Sequence, residues 1–469
     1  MLTRRNFLQA GATLLTGTAL RPQLALGADE SSGSRLTVPT PAQLAWQDYE
    51  VGVIFHLDLP LVAGDVTGNN ATRKIFDPNL YQPRQLDTDQ WVAAAKAAGA
   101  RYALFTATHF NGFMQWQSDL YPYGLKQTSW RGGRADIVGD FVTSCRKAGI
   151  QPGLYFSVHR NVYHQLWDHY VDWGKGRGTP AQDAFNRIAE KQMEELCSRH
   201  GPLAQIWLDA GAKSPAEGGP DLLPVFDRHQ PNSVFYHSPQ RSEHRWIGNE
   251  KGFADYPCWS TMPGPLGAVS HNSPAWKKIL GRGDPDGAIW SPGMVDVPLR
   301  GANKVHSWFW TPNQEHGIEP TERLVQMHRE SVGRNCNFVL GAVVTPEGLV
   351  PEPDVRRLAD FGREVERRWG RARAATTGRG SRLELALPQP SSIASAILME
   401  DIVHGERIQD YVVSGRLRDG EWRDLARGQS VGHKRLAEFS AVEVTALRLT
   451  IPRSKAEPHL RRFAAHAPV

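Results

Sequence analysis

The residues best placed to do chemistry are polar side chains that each close an apolar run. In Leu203-Ala204-Gln205-Ile206-Trp207-Leu208-Asp209-Ala210-Gly211, Ile206 and Leu208 take one side of an extended segment and Trp207 the other. The run then delivers one carboxylate, Asp209, and turns on glycine. The C-terminal end of a strand is where a (β/α)8 barrel keeps a catalytic acid, although Asp before Ala-Gly is also ordinary turn chemistry. The same ending recurs at His56, His109, Ser157 and His237. Any one of these is more often structural than catalytic, but five endings in register would converge on one barrel mouth.

The segments that carry them alternate between extended and helical patterns from Tyr49 onward, the signature of a parallel α/β fold. Val51–His56, Tyr102–Thr106, Gly153–Ser157 and Ser233–His237 read as strands beside the Asp209 run. Helices are expected at 88–98, with Asp87 and Gln90 as a capping box, at 136–148 stopped by Gly149, and at 183–199. Residues 238–305, rich in Gly, Pro and Trp, read as long rim loops. Periodic structure then resumes with His306-Ser307-Trp308-Phe309-Trp310, a helix at 321–332, a strand at 337–340 and a helix at 354–369.

The ends of the chain differ from this body. Thr3-Arg4-Arg5-Asn6-Phe7-Leu8, an apolar stretch from Ala10 to Leu20 and small residues at Ala25-Leu26-Gly27 make residues 1–27 a twin-arginine export signal. Its apolar run is too short to span a bilayer. The expected location is therefore periplasmic or secreted, with no membrane anchor once the signal is removed. Beyond Trp369, residues 370–382 read as a linker. Alternation at Leu383/Leu385/Leu387 and Leu447/Leu449/Ile451, with an Asp419-Gly420 turn, predicts an antiparallel β-sandwich. The expected division is signal 1–27, barrel 28–370 and sandwich 371–469.

Composition narrows the function. Without the signal the chain carries 51 basic and 49 acidic side chains, a net of +2, so the pI of 9.0 gives no reason to expect nucleic acid as a partner. Cys145, Cys197, Cys258 and Cys336 lie far apart with no metal-ligand spacing, which predicts buried thiols and neither metal nor cofactor. Fifteen tryptophans are many, and indole faces commonly hold sugar rings.

Across roughly residues 40–370 the chain resembles glycoside hydrolase family 29, the α-L-fucosidases. The resemblance is carried by Thr106-Ala107-Thr108-His109-Phe110-Asn111-Gly112-Phe113-Met114-Gln115-Trp116, by Cys145-Arg146-Lys147-Ala148-Gly149-Ile150-Gln151-Pro152-Gly153-Leu154-Tyr155-Phe156-Ser157, and by Ile206-Trp207-Leu208-Asp209. Arg245-Trp246-Ile247-Gly248-Asn249-Glu250-Lys251-Gly252 is similar to a loop of the branch acting on α-1,3 and α-1,4 linked fucose. The resemblance implies Asp209 as nucleophile and Glu250 as acid/base. It implies His56, His109 and either Tyr155 or Phe156 in the pocket for the substrate, a fucosylated oligosaccharide or glycoconjugate. Trp116, in the His109 motif, and Trp207 and Trp246, beside the two acids in sequence, are further candidates to stack on the sugar, with plain packing as the alternative. Two positions depart from the family's pattern. Phe110 and Asn111 stand where His and Asp are usual, and Leu57-Asp58 follows His56 in place of an aromatic residue and glycine.

Retaining glycoside cleavage needs two carboxyl groups about 5–5.5 Å apart, one ionised and one protonated. Asp209 and Glu250 are far apart in sequence, so no local geometry ties them, and a barrel rim, where a strand end and a later loop can meet, would supply the proximity. Glu243, Asp255, Asp296 and Glu315 are the alternative proton donors, with Asp296 and Arg300 expected to form an ion pair or to bind the aglycone side.

Overall fold

Apolar runs too short for helices become strands hidden on both faces, which is the condition of a parallel sheet covered by helices. In the computed structural model, which describes residues 36–65, 73–266 and 274–469, eight such strands form one sheet. They are β1 (Val51–His56), β2 (Tyr102–Thr108), β3 (Gln151–Phe156), β4 (Gln205–Trp207), β5 (Val234–Tyr236), β6 (Arg245–Trp246), β7 (Gly293–Pro298) and β8 (Cys336–Val343). Their order is β5-β4-β3-β2-β1-β8-β7-β6, a cyclic barrel sequence in which only β5 and β6 do not ladder. Every ladder is parallel.

The side-chain period of two divides each strand between two cores. Ile54, Leu104, Tyr155, Trp207, Met294 and Val339 join the cluster inside the barrel. Their neighbours Phe55, Phe105, Leu154, Phe156, Ile206, Val295 and Leu340 join the helix-facing cluster, where Phe55 meets Trp91 and Phe105 meets Phe141 at ring separations of 5.7 and 5.6 Å. His56, two residues beyond Ile54, and Asp209, two beyond Trp207, therefore inherit the inward direction at the C-terminal rim.

Helices cap as expected at Asp87 and Asp136, whose carboxylates accept the Gln90 and Gly139 N–H groups, and Gly149 ends its helix at φ 73°. The Asp87–Gln90 capping box is not reciprocal, because the Gln90 amide pairs with both backbone groups of Val350 instead. The expected rim-loop region differs more. Residues 238–305 hold β6, β7, the antiparallel pair Thr261–Met262 and Ile289–Trp290, and the helix Pro274–Arg282. Two residues of β6 are too few to show a period, and Asp296 and Pro298 interrupt that of β7. Conversely, His306–Trp310 forms no strand, and its aromatic alternation serves the cavity described below.

The C-terminal part is an antiparallel sheet of β9 (Ala374–Arg379), β10 (Arg382–Glu400), β11 (Ile408–Arg416), β12 (Trp422–Gly428), β13 (Arg435–Ser454) and β14 (His459–His466), ordered β9-β14-β10-β13-β11-β12. Leu383 and Leu385 face Leu449 and Leu447 across β10 and β13. Register breaks between Ala386/Ser391 and Ile393/Ser395 bend these long strands, so one sheet folds over a core of its own. The expected linker contains β9, an edge strand whose single neighbour asks for no apolar face. This sheet meets the barrel at the starts of β1 and β8. Glu50 pairs with Lys434 and His433, Asn335 accepts from the His433 N–H at 2.7 Å, and Glu406 accepts from Ser260 N–H and the Asn335 amide. The four cysteines are buried free thiols. Among the described residues no helix is long and apolar enough to cross a membrane, and the signal at 1–27 lies outside them.

Candidate active site

The C-terminal mouth of the barrel encloses a cavity of about 300 Å³ lined by side chains from six strand ends and their loops. Strand β4 delivers Asp209 to its wall, half-buried. The Tyr155 hydroxyl donates to Asp209 Oδ2 at 3.0 Å, and the Ala210 N–H also bonds the carboxylate. Ala210 (φ 55°) and Gly211 (φ 76°) turn the chain sharply to make this possible. A Cβ on Gly211 would lie 2.5 Å from the His237 ring, so the glycine allows a close approach as well as a conformation. Burial raises the Asp209 pKa against the Tyr155 hydrogen bond, and the Glu250 charge raises it further.

Glu250 arrives from the loop after β6 and lines the same cavity. Its Oε2 lies 2.5 Å from His306 Nε2 and accepts from Trp308 Nε1 at 3.3 Å, both in the segment after β7. The hydrogen bond to Glu250 raises the His306 pKa, favouring an imidazolium there. A third carboxyl, Asp296 on β7, accepts from Trp246 Nε1 at 2.8 Å. Burial, then the charges of Glu250 and Asp209, push its pKa well above the usual carboxylate range. Three carboxyl groups are thus crowded at one mouth, and two of them, Asp209 and Asp296, are both pushed upward.

The remaining wall is mainly aromatic, with one cation, Arg160. Burial brings the His56 pKa down to about 3, and burial with the His56 and Arg160 charges holds His109 well below its usual range. Neutral imidazoles both donate and accept, which suits sugar hydroxyls. His109 stacks on Tyr155 at 5.1 Å, Phe309 contacts both histidines, and Trp308 contacts His56. The buried Nδ1 atoms of His56 and His109 and Nε1 of Trp207 have no protein hydrogen-bond partner.

Of the residues expected here, the structure brings His56, His109, Tyr155, Trp207, Asp209 and Glu250 to the cavity wall. Trp116 is not there: it is buried in the helix-facing core, with Nε1 donating to Glu195 at 2.8 Å. Phe156 also faces that core, because strand alternation turns it away from the side Tyr155 takes. Trp246 stands behind the wall and holds Asp296. Arg300 pairs with Asp354 at 2.8 and 3.0 Å rather than with Asp296. Glu243 is occupied by the Phe235 N–H at 2.6 Å, and neither Asp255 nor Glu315 reaches the cavity. Ser157 bonds the Arg160 carbonyl and shapes its loop. His306, Trp308, Phe309, Phe110 and Arg160 complete the wall; the aromatic density of 306–310 signalled the first three, Phe110 stood out as a departure from the family's pattern, and Arg160 had no sequence signal. Among the described residues, side chains spaced to share a metal ion occur at Asp401, His404 and His459 in the C-terminal sheet, not in the cavity.

The α-L-fucosidase family model matches residues 68–259. The chain is similar to a candidate α-L-fucosidase 1 of Oryza sativa subsp. japonica, 30% identical over 91% of this chain and 84% of that one. It is 28% identical to α-L-fucosidase 1 of Arabidopsis thaliana over 90% of this chain and 86% of that one. The crystal structure of a candidate α-L-fucosidase from Bacteroides thetaiotaomicron VPI-5482 superposes with a TM-score of 0.88 at 42% identity, covering 92% of this chain and all of that one.

Proposed function

Because the chain belongs to the α-L-fucosidase family, glycoside hydrolase family 29, we propose that it is an exported retaining exo-α-L-fucosidase with Asp209 as nucleophile and Glu250 as acid/base. The observation that carries this reading is that two carboxyl groups remote in sequence line one small cavity, each with a different hydrogen-bond environment. Asp209 attacks the anomeric carbon while Glu250 gives its proton to the departing oxygen. Glu250 then takes a proton from the water that releases the sugar. Tyr155 orients the Asp209 oxygen and stabilises its charge before attack. His306 and Trp308 fix the Glu250 carboxyl, which regains from that water the proton it gave to the leaving group. His56, His109 and Trp207 offer their unpartnered polar atoms to the sugar's hydroxyls.

The cavity volume suits one monosaccharide, which supports removal of a terminal residue. The similarity of Arg245–Gly252 to the α-1,3/1,4 branch favours those linkages, and the twin-arginine pattern at Arg4-Arg5 favours work in the periplasm or outside the cell. The test is a panel of nitrophenyl glycosides with fucosylated oligosaccharides of defined linkage, followed by NMR early in the reaction. Hydrolysis of the α-L-fucoside with the α-anomer released first is expected. First release of the β-anomer would remove Asp209 from its role, and preference for another sugar such as α-L-galactose would change the substrate.

A further inference from the structure

We propose that the mouth takes an acidic carbohydrate, through a subsite formed by Phe110, Arg160, Trp167, Arg73 and Trp173 that receives a sulfate or carboxylate group. The group would sit on the fucose itself or on the sugar attached to it, so the inference rests on the fucosidase reading above. Phe110 and Arg160 belong to the cavity wall. From them a continuous stack leads away: the Arg160 guanidinium lies 5.0 Å from the Phe110 ring and 4.2 Å from that of Trp167. The Arg73 guanidinium in turn lies 4.3 Å from Trp167 and 4.7 Å from Trp173. Two cations thus share one indole, an arrangement whose mutual repulsion a bound anion would relieve.

Neither charge is met by an ion pair among the described residues; Asp168, on the same loop, is occupied by His159 at 3.2 Å. Residues 66–72, beside Arg73 in sequence, contain no acidic residue. Stacking uses the flat faces of a guanidinium and leaves its N–H edge open, and Arg160 Nε is buried without a partner. That edge matches two oxygens of a sulfate or carboxylate. A neutral sugar would need the indoles but not the cations. Phe110 agrees with this reading, since a phenyl ring offers a face to Arg160 and no hydrogen bond to a neutral hydroxyl. Arg160 also lies in the field of Asp209, so Arg73, exposed and farther along the stack, is the cleaner probe.

The test uses the full mature protein with a fucosylated oligosaccharide in neutral, sulfated and uronic-acid forms, and 4-nitrophenyl α-L-fucoside alongside. At low salt the kcat/KM for one acidic form should exceed that for the neutral form by about tenfold, and the preference should shrink steeply as salt screens it. Which acidic form wins identifies the group. Arg73→Gln should remove most of the preference through KM, with a smaller change on the aryl fucoside; Trp173→Leu should act in the same direction. Equal or poorer use of both acidic forms, while the aryl fucoside is hydrolysed, would overturn the subsite and leave the fucosidase reading intact. Absence of any fucoside hydrolysis would overturn that reading instead. Tryptophan fluorescence titrated with fucose, sulfated fucose and glucuronate would then still judge the subsite, with equal affinities counting against it.

Discussion

The two ends of the barrel treat their polar groups in opposite ways. At the floor, where β1 and β8 begin, Glu50, Asn335, Glu406, Ser260, His433 and Lys434 satisfy one another. Burial alone would raise the Glu50 pKa, but Lys434 and His433 overcome it and hold the carboxyl far below the usual range. At the mouth, Asp209 and Asp296 are pushed upward, and Nδ1 of His56, Nδ1 of His109 and Nε1 of Trp207 have no partner within the protein. The floor has spent its polar groups on joining two domains. The mouth keeps its own in reserve for a ligand, at a cost in stability that sites commonly carry.

Breaking the mouth should therefore remove activity and leave stability nearly unchanged. The largest effect is expected from Asp209→Gly, with hydrolysis down by about 10⁴-fold and the melting temperature maintained or raised. Added azide should give a β-fucosyl azide from an activated fucoside; near-normal turnover would refute the nucleophile assignment.

Glu250→Ala comes next. Losses on oligosaccharides, whose leaving groups are poor, should exceed those on aryl fucosides by about 10²-fold, and azide should yield the α-fucosyl azide. In Glu250→Gln, the His306 imidazole loses the partner that raises its pKa. It should titrate at lower pH by NMR, and an unchanged midpoint would contradict the contact.

Tyr155→Phe removes the hydroxyl that donates to Asp209. A drop in kcat of about 10–100-fold with little change in KM is expected, because the hydrogen bond acts on the nucleophile and not on the bound sugar's affinity. A pure KM effect would assign Tyr155 to binding alone.

The floor sharpens the contrast with the smallest effect on catalysis. Glu50→Gln should cost on the order of 2 kcal/mol of stability at neutral pH while kcat/KM stays within about twofold. A carboxyl with a depressed folded pKa stabilises the protein above its unfolded value, near 4.5, and loses that contribution as pH falls through the folded one. The difference between wild type and variant in denaturant titrations should accordingly narrow below about pH 4.5. A constant difference across pH would show that packing, and not charge, joins the two parts.

Sequence alone determined the barrel's first half and the places where its polar groups fall. Six-residue apolar runs with a polar end are local information, so β1, β2 and β3 and the inward Asp209 could be read from period and turn chemistry. It also determined the C-terminal alternation of Leu383, Leu385 and Leu387, which a half-exposed antiparallel sheet makes visible. Tertiary structure decided the rest. In an all-apolar strand nothing local says which face looks inward, so Tyr155 and Phe156 were equivalent until the barrel closed. Trp116, in a sugar-like motif, went to the core because Glu195 on a distant helix satisfies its indole. Two strands, β6 and β7, were hidden because one has no length for a period and the other carries Asp296 through the wall. Above all, the Glu250–His306–Trp308 contact joins loops after two different strands, and the parallel pairing of β6 with β7 converts their sequence distance into a hydrogen bond.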